Sequence, residues 1–281
     1  MNRRRLAFIV HRSSFIVLLL ACAPHEPPAQ RAAHRVVSLA PNVTEILFAL
    51  GAGDDVVGAD DFSDEPARAK TLPKVGGVQP DVEKIVALKP DLVIANAAGL
   101  HPNVARAMAA VHVPLIVVRN ERLADIAVSM RRVGAALGVP AGDAVVALER
   151  ALAAERRTRA RAPRVMLAVW TDPLYVAGRE TFADDLFALT GATNAVAVNG
   201  WPQYSLESFV AAPPDILVVP NRSVTPAQVE ALLVRARVSG IRVVWVDENV
   251  FTRPGPRVAL AAKRLNAILD GWERQTMNAE R

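Results

Sequence analysis

The residues of this chain that could do chemistry are few, and they are not grouped for catalysis. Asp60, Asp61 and Asp64 fall close together and by type could approach a divalent cation. Acids so placed more often serve as turn and capping groups. His25, His34, His101 and His112 are scattered, with no H-x-x-H or H-E-x-x-H spacing for zinc. Cys22 is the sole cysteine, which excludes an internal disulfide and a thiolate cluster. No G-x-G-x-x-G or P-loop follows any predicted strand, so nucleotide chemistry lacks its usual residues. No catalytic residue, metal site or cofactor is expected. A pair of glutamates remains, Glu83 and Glu207, each at the start of a predicted helix. The helix dipole favours a carboxylate there by ~0.3–1 kcal/mol, and the side chain can project from the end of a lobe.

The elements that carry these glutamates repeat. Val82 to Ile94 matches Leu206 to Val218 at a constant offset of 124 residues. Identities fall at Glu83/Glu207, Val86/Val210, Ala87/Ala211, Pro90/Pro214 and Asp91/Asp215, and Leu47 to Gly51 is echoed loosely by Leu186 to Gly191. Short apolar runs at Val36 to Leu39, Leu92 to Ala95 and Leu115 to Val118 alternate with helical patterns, as parallel βαβ units do. The pattern restarts at Arg164 to Trp170 and continues through Ile216 to Val219 and Val243 to Val246. The first helix is expected to cap on Asn42 or Thr44 and to end at Gly51. The fold class is therefore α/β, with two lobes of similar topology, each a parallel sheet flanked by helices.

Between the lobes, Pro140 to Ala162 reads as one long helix, with Val145, Leu148, Leu152 and Ala153 on an apolar stripe. Arg156, Arg157, Arg159 and Arg161 are expected to be mostly solvated. A helix of about 20 residues spans roughly 30 Å, enough to bridge two lobes, and it is a stiff connector. The resulting organisation is a signal over residues 1–22, a flexible tether over 23–34, a first lobe over 35–139, a connecting helix over 140–162 and a second lobe over 163–281.

Arg3, Arg4, Arg5 and Arg12 precede an apolar run from Phe15 to Ala21 that is too short to cross a bilayer core of ~30 Å. Leu19-Leu20-Ala21-Cys22 resembles a bacterial lipobox. That resemblance implies cleavage before Cys22, acylation of its thiol and a periplasmic protein anchored to the membrane by lipid. The stretch Ala23 to Gln30 is proline-rich, as a tether would be. Four of the five net positive charges lie in the signal, so the mature chain is nearly neutral and nucleic acid is not an expected partner.

Arg35 to Gly51 resembles the opening of the cobalamin- and iron-chelate-binding proteins of ABC importers. Val57-Gly58 through Pro66, Glu83 to Ala95, Trp201-Pro202-Gln203 with Ser205-Leu206-Glu207, and Phe251 to Arg257 continue the likeness, which spans Arg35 to Leu269. The resemblance implies two lobes joined by a backbone helix, a monomer that holds its ligand in the cleft, and delivery to a permease dimer. It also implies that Glu83 and Glu207 dock onto permease arginines.

A corrinoid is large, nearly flat and fringed with amides, so its binder needs aromatic walls and a few donors. Aromatics make up only 5% of the chain. By resemblance, Phe62, Trp170, Trp201 and Arg253 match ligand-contact positions. Tyr204 joins them as a neighbour of Trp201 in the loop from Asn199 to Ser205. Trp245 and Trp272 are expected in the core. Gly76-Gly77-Val78-Gln79 stands where the best-known cobalamin binders carry a tryptophan, and Asn96 replaces another aromatic. The ligand therefore stays open among cobalamin, cobinamide, another corrinoid, haem and a ferric siderophore. Haem would need an axial ligand, for which Tyr204 is the candidate. A zinc or manganese lipoprotein would need a His-rich cleft.

Overall fold

Each half of the chain starts its sheet with the same hydrogen bonds. The backbone N–H of Arg35 donates to Asp91 Oδ1 at 3.0 Å, and that of Arg164 donates to Asp215 Oδ2 at 2.8 Å. The side chains repeat the pattern, with Arg35 Nη2 on Leu88 O at 2.7 Å and Arg164 Nη2 on Ala212 O at 3.2 Å. Leu88 with Ala212, like Asp91 with Asp215, are related by the 124-residue offset. The repeated Pro-Asp thus ties the entry of one strand to the start of its neighbour, a packing role that explains its recurrence.

The structure, a computed structural model, describes residues 34–279. The expected signal, Cys22 and the tether up to residue 33 lie outside the described residues. The first lobe contains β1 (Val36–Ser38), α1 (Pro41–Ala49), β2 (Val56–Ala59), α2 (Val82–Ala87), β3 (Leu92–Asn96), α3 (Pro102–Ala110) and β4 (Leu115–Val118). Its strands are all parallel in the order β2-β1-β3-β4. Two helices follow, α4 (Leu123–Leu137) and α5 (Gly142–Ala154).

The second lobe contains β5 (Arg164–Thr171), β6 (Leu174–Val176), α6 (Phe182–Leu189), β7 (Thr193–Asn194), α7 (Leu206–Ala211) and β8 (Ile216–Pro220). It ends with α8 (Pro226–Ala236), β9 (Arg242–Val246), α9 (Glu248–Phe251) and α10 (Val258–Ala279). Its parallel order, β7-β5-β8-β9, is that of the first lobe, and β6 adds an antiparallel strand to the far end of β5. Gly51 and Gly191 close α1 and α6 in the same left-handed conformation, at φ 73° and 77°.

One apolar core runs through both lobes. It joins Val43, Ile46 and Leu47 of α1 to Val145 and Leu148 of α5, Leu186 and Phe187 of α6, and Leu265 of α10. Each such buried side chain contributes about 1.5–3 kcal/mol. The lobes are therefore fused along a shared face. Separate clusters fill the outer faces of the two sheets.

Several local expectations change. The first helix has Ala40 at its cap and Pro41 in its first turn, with no side-chain cap; Asn42 and Thr44 are used elsewhere. The connecting helix α5 stops at Ala154, so its 13 residues span about 20 Å. Beyond the helix end, Arg159 is drawn inward. Its side chain is only 3% exposed and pairs with Asp270 and Glu273 of α10, both at 2.8 Å. Trp272 is buried in the core, but Trp245 is 38% exposed on the outer side of β9.

Candidate functional site

A cleft of about 820 Å³ opens between the lobes at the carboxyl ends of the strands, where open α/β sheets bind ligands. The first lobe lines it with the segments after β1, β2, β3 and β4, and the second with residues around Trp201 and those after β8 and β9. Its size lies within the range of pockets that enclose a small-molecule ligand, ~300–1,000 Å³.

Phe62 of the first lobe and Trp201 of the second both line this space as aromatic walls, at 53% and 36% exposed. The Phe62 loop is pinned from below. Phe62 N–H donates to Asp60 Oδ2 at 3.1 Å, Ser63 Oγ donates to Asp60 Oδ1, and Lys74 Nζ binds Ser63 O at 2.6 Å. Burial raises the Asp60 carboxyl above its ordinary value, and the hydrogen bonds from Ser63 and Phe62 oppose that shift in part. The ring of Phe62 also accounts for one of the two glycines that stand in place of a tryptophan; the other, Gly76, has φ 96° and a Cβ there would meet the Gln79 carbonyl. A Cβ at Gly77 would come within 2.9 Å of that ring, so Phe62 supplies the wall and Gly77 makes room for it. Trp201 packs on Phe182 with ring centroids 5.8 Å apart. Its loop is laid against Gly178, whose N–H donates to Gly200 O at 2.8 Å, and a Cβ at Gly178 would clash with Val198 O.

Arg253 lines the cleft, yet its guanidinium is committed to protein groups. Nη1 donates to Asp64 Oδ1 at 2.6 Å, Nη2 donates to Phe62 O at 3.1 Å, and the side chain is 12% exposed. Arg222 and Asn249 donate to the other oxygen of Asp64 at 3.2 and 3.0 Å. Burial alone would push the Asp64 carboxyl up; Arg253, Arg222 and Asn249 outweigh it and hold the group at about 2. Asp64 is thus the first-lobe half of an interlobe ion pair rather than a turn acid. Nearby, Arg257 grips the buried Glu45 through two bonds of 3.0 and 2.7 Å. Asn42 and Asn120 both donate to Pro254 O, at 3.3 and 3.0 Å.

Trp170 and Tyr204 lie outside the cleft lining. Neighbouring strand residues face opposite sides, and Val169 turns toward the cleft region while Trp170 is exposed beside Tyr175 of β6. The Trp170 indole donates to Asp172 O at 2.9 Å. Tyr204 packs with the outer cluster of the second sheet. Glu45, Asn120, Phe182 and Glu248 belong to the site or its walls without being singled out by the sequence. Glu45 had a signal, since a carboxylate inside the apolar run of α1 must find a partner.

Glu83 and Glu207 are exposed in the first turns of α2 and α7, and neither makes a side-chain bond among the described residues. Their caps are equivalent, with Asp81 accepting from Lys84 N and Ser205 accepting from Ser208 N. Val86 and Val210, one turn on, are both exposed. Crossover helices run against their strands, so both glutamates stand at the cleft end of their sheets.

Two equivalent parallel-sheet lobes, fused along one face and open at their strand ends, define a two-lobed binding protein. A family model described as periplasmic binding protein matches residues 36–244, and the chain belongs to that family. The vitamin B12-binding protein of Pectobacterium carotovorum subsp. carotovorum (strain PC1) is 30% identical over 257 residues, covering 88% of this chain and 91% of its own. That of Yersinia pestis (strain Pestoides F) is 31% identical over 245 residues, covering 85% and 86%. Among solved structures, the periplasmic heme-binding protein RhuT from Roseiflexus sp. RS-1 superposes with a TM-score of 0.75 at 31% identity, covering 84% of this chain and 97% of that one. The periplasmic vitamin B12 binding protein BtuF of Vibrio cholerae gives 0.69 at 25% identity, covering 86% and 98%. The relatives are substrate-binding proteins, and membership of the family implies a periplasmic location.

Proposed function

We propose that this protein captures a corrinoid, cobalamin or a close relative, in the interlobe cleft and delivers it to the permease of an ABC importer. In this reading a lipid on Cys22 tethers it to the membrane, and Glu83 and Glu207 dock on the permease, one per lobe. The chemistry of the cleft lining carries the reading. Asn96 offers the N–H of an amide whose oxygen alone is engaged, and Asp61, Glu121 and Glu248 offer acceptors, between the walls of Phe62 and Trp201. An amide-fringed macrocycle matches that set. The two lining cations, Arg222 and Arg253, are already engaged by Asp64, which leaves poor support for the propionates of haem or the anionic groups of a siderophore. Tyr204, the axial-ligand candidate for haem, packs on the outer face of its sheet.

Haem remains the second reading, because a heme-binding protein is among the similar structures at 31% identity. Calorimetric titrations with cyanocobalamin, dicyanocobinamide and haemin separate the two. Saturable binding of a corrinoid, weakened at least tenfold by Trp201→Ala and less than threefold by Trp170→Ala, is the expected result. Tight haemin binding with a Soret shift and no heat from either corrinoid would overturn the proposal.

A further inference from the structure

Beside the main cleft lies a smaller cavity of about 290 Å³, lined by Val169, Trp201, Pro220, Ser223, Glu248 and Thr252. Trp201, Glu248 and Thr252 line both spaces, so the two adjoin at these residues. A macrocycle that fills the larger space is too big for the smaller one, which has room for a single substituent.

Glu248 gives the chamber its chemistry. Its Oε2 accepts the Ser223 N–H at 2.7 Å, and the backbone carbonyl of Glu248 accepts Thr252 Oγ1 at 2.7 Å. These bonds hold the carboxylate at the boundary between the cavities, while Oε1 has no partner among the described residues. A fixed carboxylate with one open oxygen accepts N–H donors strongly and repels another carboxylate. Among the described residues, no lysine, arginine or histidine lines the chamber.

We propose that the smaller cavity is a subsite for one carboxamide arm of the ligand, and that Glu248 recognises the arm by accepting its N–H at Oε1. This rests on the corrinoid reading. Glu248 then acts as a specificity residue that separates amidated rings from those bearing acids, and Val169 and Pro220 enclose the stem of the arm.

The test uses the full chain and the set of cobalamin monocarboxylates, in each of which one peripheral amide is hydrolysed to the acid. One isomer is expected to bind at least tenfold more weakly than cobalamin, with the others within threefold. Glu248→Gln keeps an acceptor for the Ser223 N–H and should bring that isomer within threefold of cobalamin. Ser223→Leu, which narrows the chamber and leaves its backbone N–H in place, should weaken cobalamin at least tenfold with an unchanged melting temperature. Equal binding of all isomers by the natural protein, or discrimination that survives Glu248→Gln, overturns the inference while the corrinoid reading stands. So does unchanged cobalamin affinity in Ser223→Leu. An absence of binding by cobalamin itself overturns both.

Discussion

Arg253 of the second lobe donates to Asp64 of the first across 2.6 Å, in the wall of the cleft. With Arg257 on Glu45, and Asn42 and Asn120 on Pro254, this pair makes the segment from Phe251 to Arg257 a clasp between the lobes. The shared apolar core lies alongside. Opening the cleft by a wide hinge would break the clasp and expose that core, so the lobes can move only slightly without large cost. The expected stiffness therefore comes from a fused face more than from α5.

The clasp makes stability depend on pH in a particular window. The Asp64 carboxyl is lowered from 3.8 to about 2, mainly by Arg253 acting against burial. A depressed carboxylate stabilises the fold fully above its unfolded value, and that stabilisation is lost as pH falls through the folded value. Urea midpoints should drop between about pH 4 and pH 2, by an amount equivalent to about 1–2 kcal/mol once solvent screening is allowed for. Asp64→Asn should flatten that part of the profile. Asp60, raised by burial, has the opposite sign and favours the fold on acidification, so it cannot produce the same drop. A profile unchanged by Asp64→Asn would show that other carboxylates control acid unfolding.

Glu45 tests the second half of the clasp. Its side chain is 4% exposed and held by both nitrogens of the Arg257 fork. Arg257→Met leaves the buried carboxylate with only Arg253 Nη1, at 3.6 Å, as a charged partner and should cost about 2–4 kcal/mol. Adding Glu45→Gln removes the stranded charge and should recover at least half of that loss. Arg257→Lys keeps the charge but loses the fork, so it should fall between the two. Urea denaturation of the four proteins checks the order.

The sequence showed the two-lobed plan because its signals are local. A Pro-Asp before a strand and a glutamate opening a helix recur at one offset, and both have the same structural roles in each half. Strands β6 and β7, three and two residues long, are too short to display periodicity. The site was only partly visible, for a different reason. The sequence reveals the charge on Arg253, whereas its partner Asp64 lies 189 positions away. Trp170 and Trp201 have similar aromatic character, and only the direction of the strand or loop beneath each one decides which enters the cleft. Arg159 looked solvated because its acidic partners come from α10, more than 100 residues later.

Glu83 and Glu207 offer the sharpest test of delivery as distinct from capture. Each stands exposed at the cleft end of its lobe, followed one turn later by an exposed valine. Neither contributes to the cleft lining, and neither bonds to the rest of the described residues. Their only intrinsic contribution is to the dipole of a six-residue helix, ~0.3–1 kcal/mol each. Reversing both charges with Glu83→Arg and Glu207→Arg should therefore leave ligand affinity within threefold and stability reduced by no more than about 2 kcal/mol. If these are docking groups, ligand uptake into vesicles carrying the permease should fall at least tenfold in the double variant, and each single variant should retain intermediate uptake. Normal uptake by the double variant would remove both glutamates from the docking surface. Lost ligand affinity would instead tie them to the cleft.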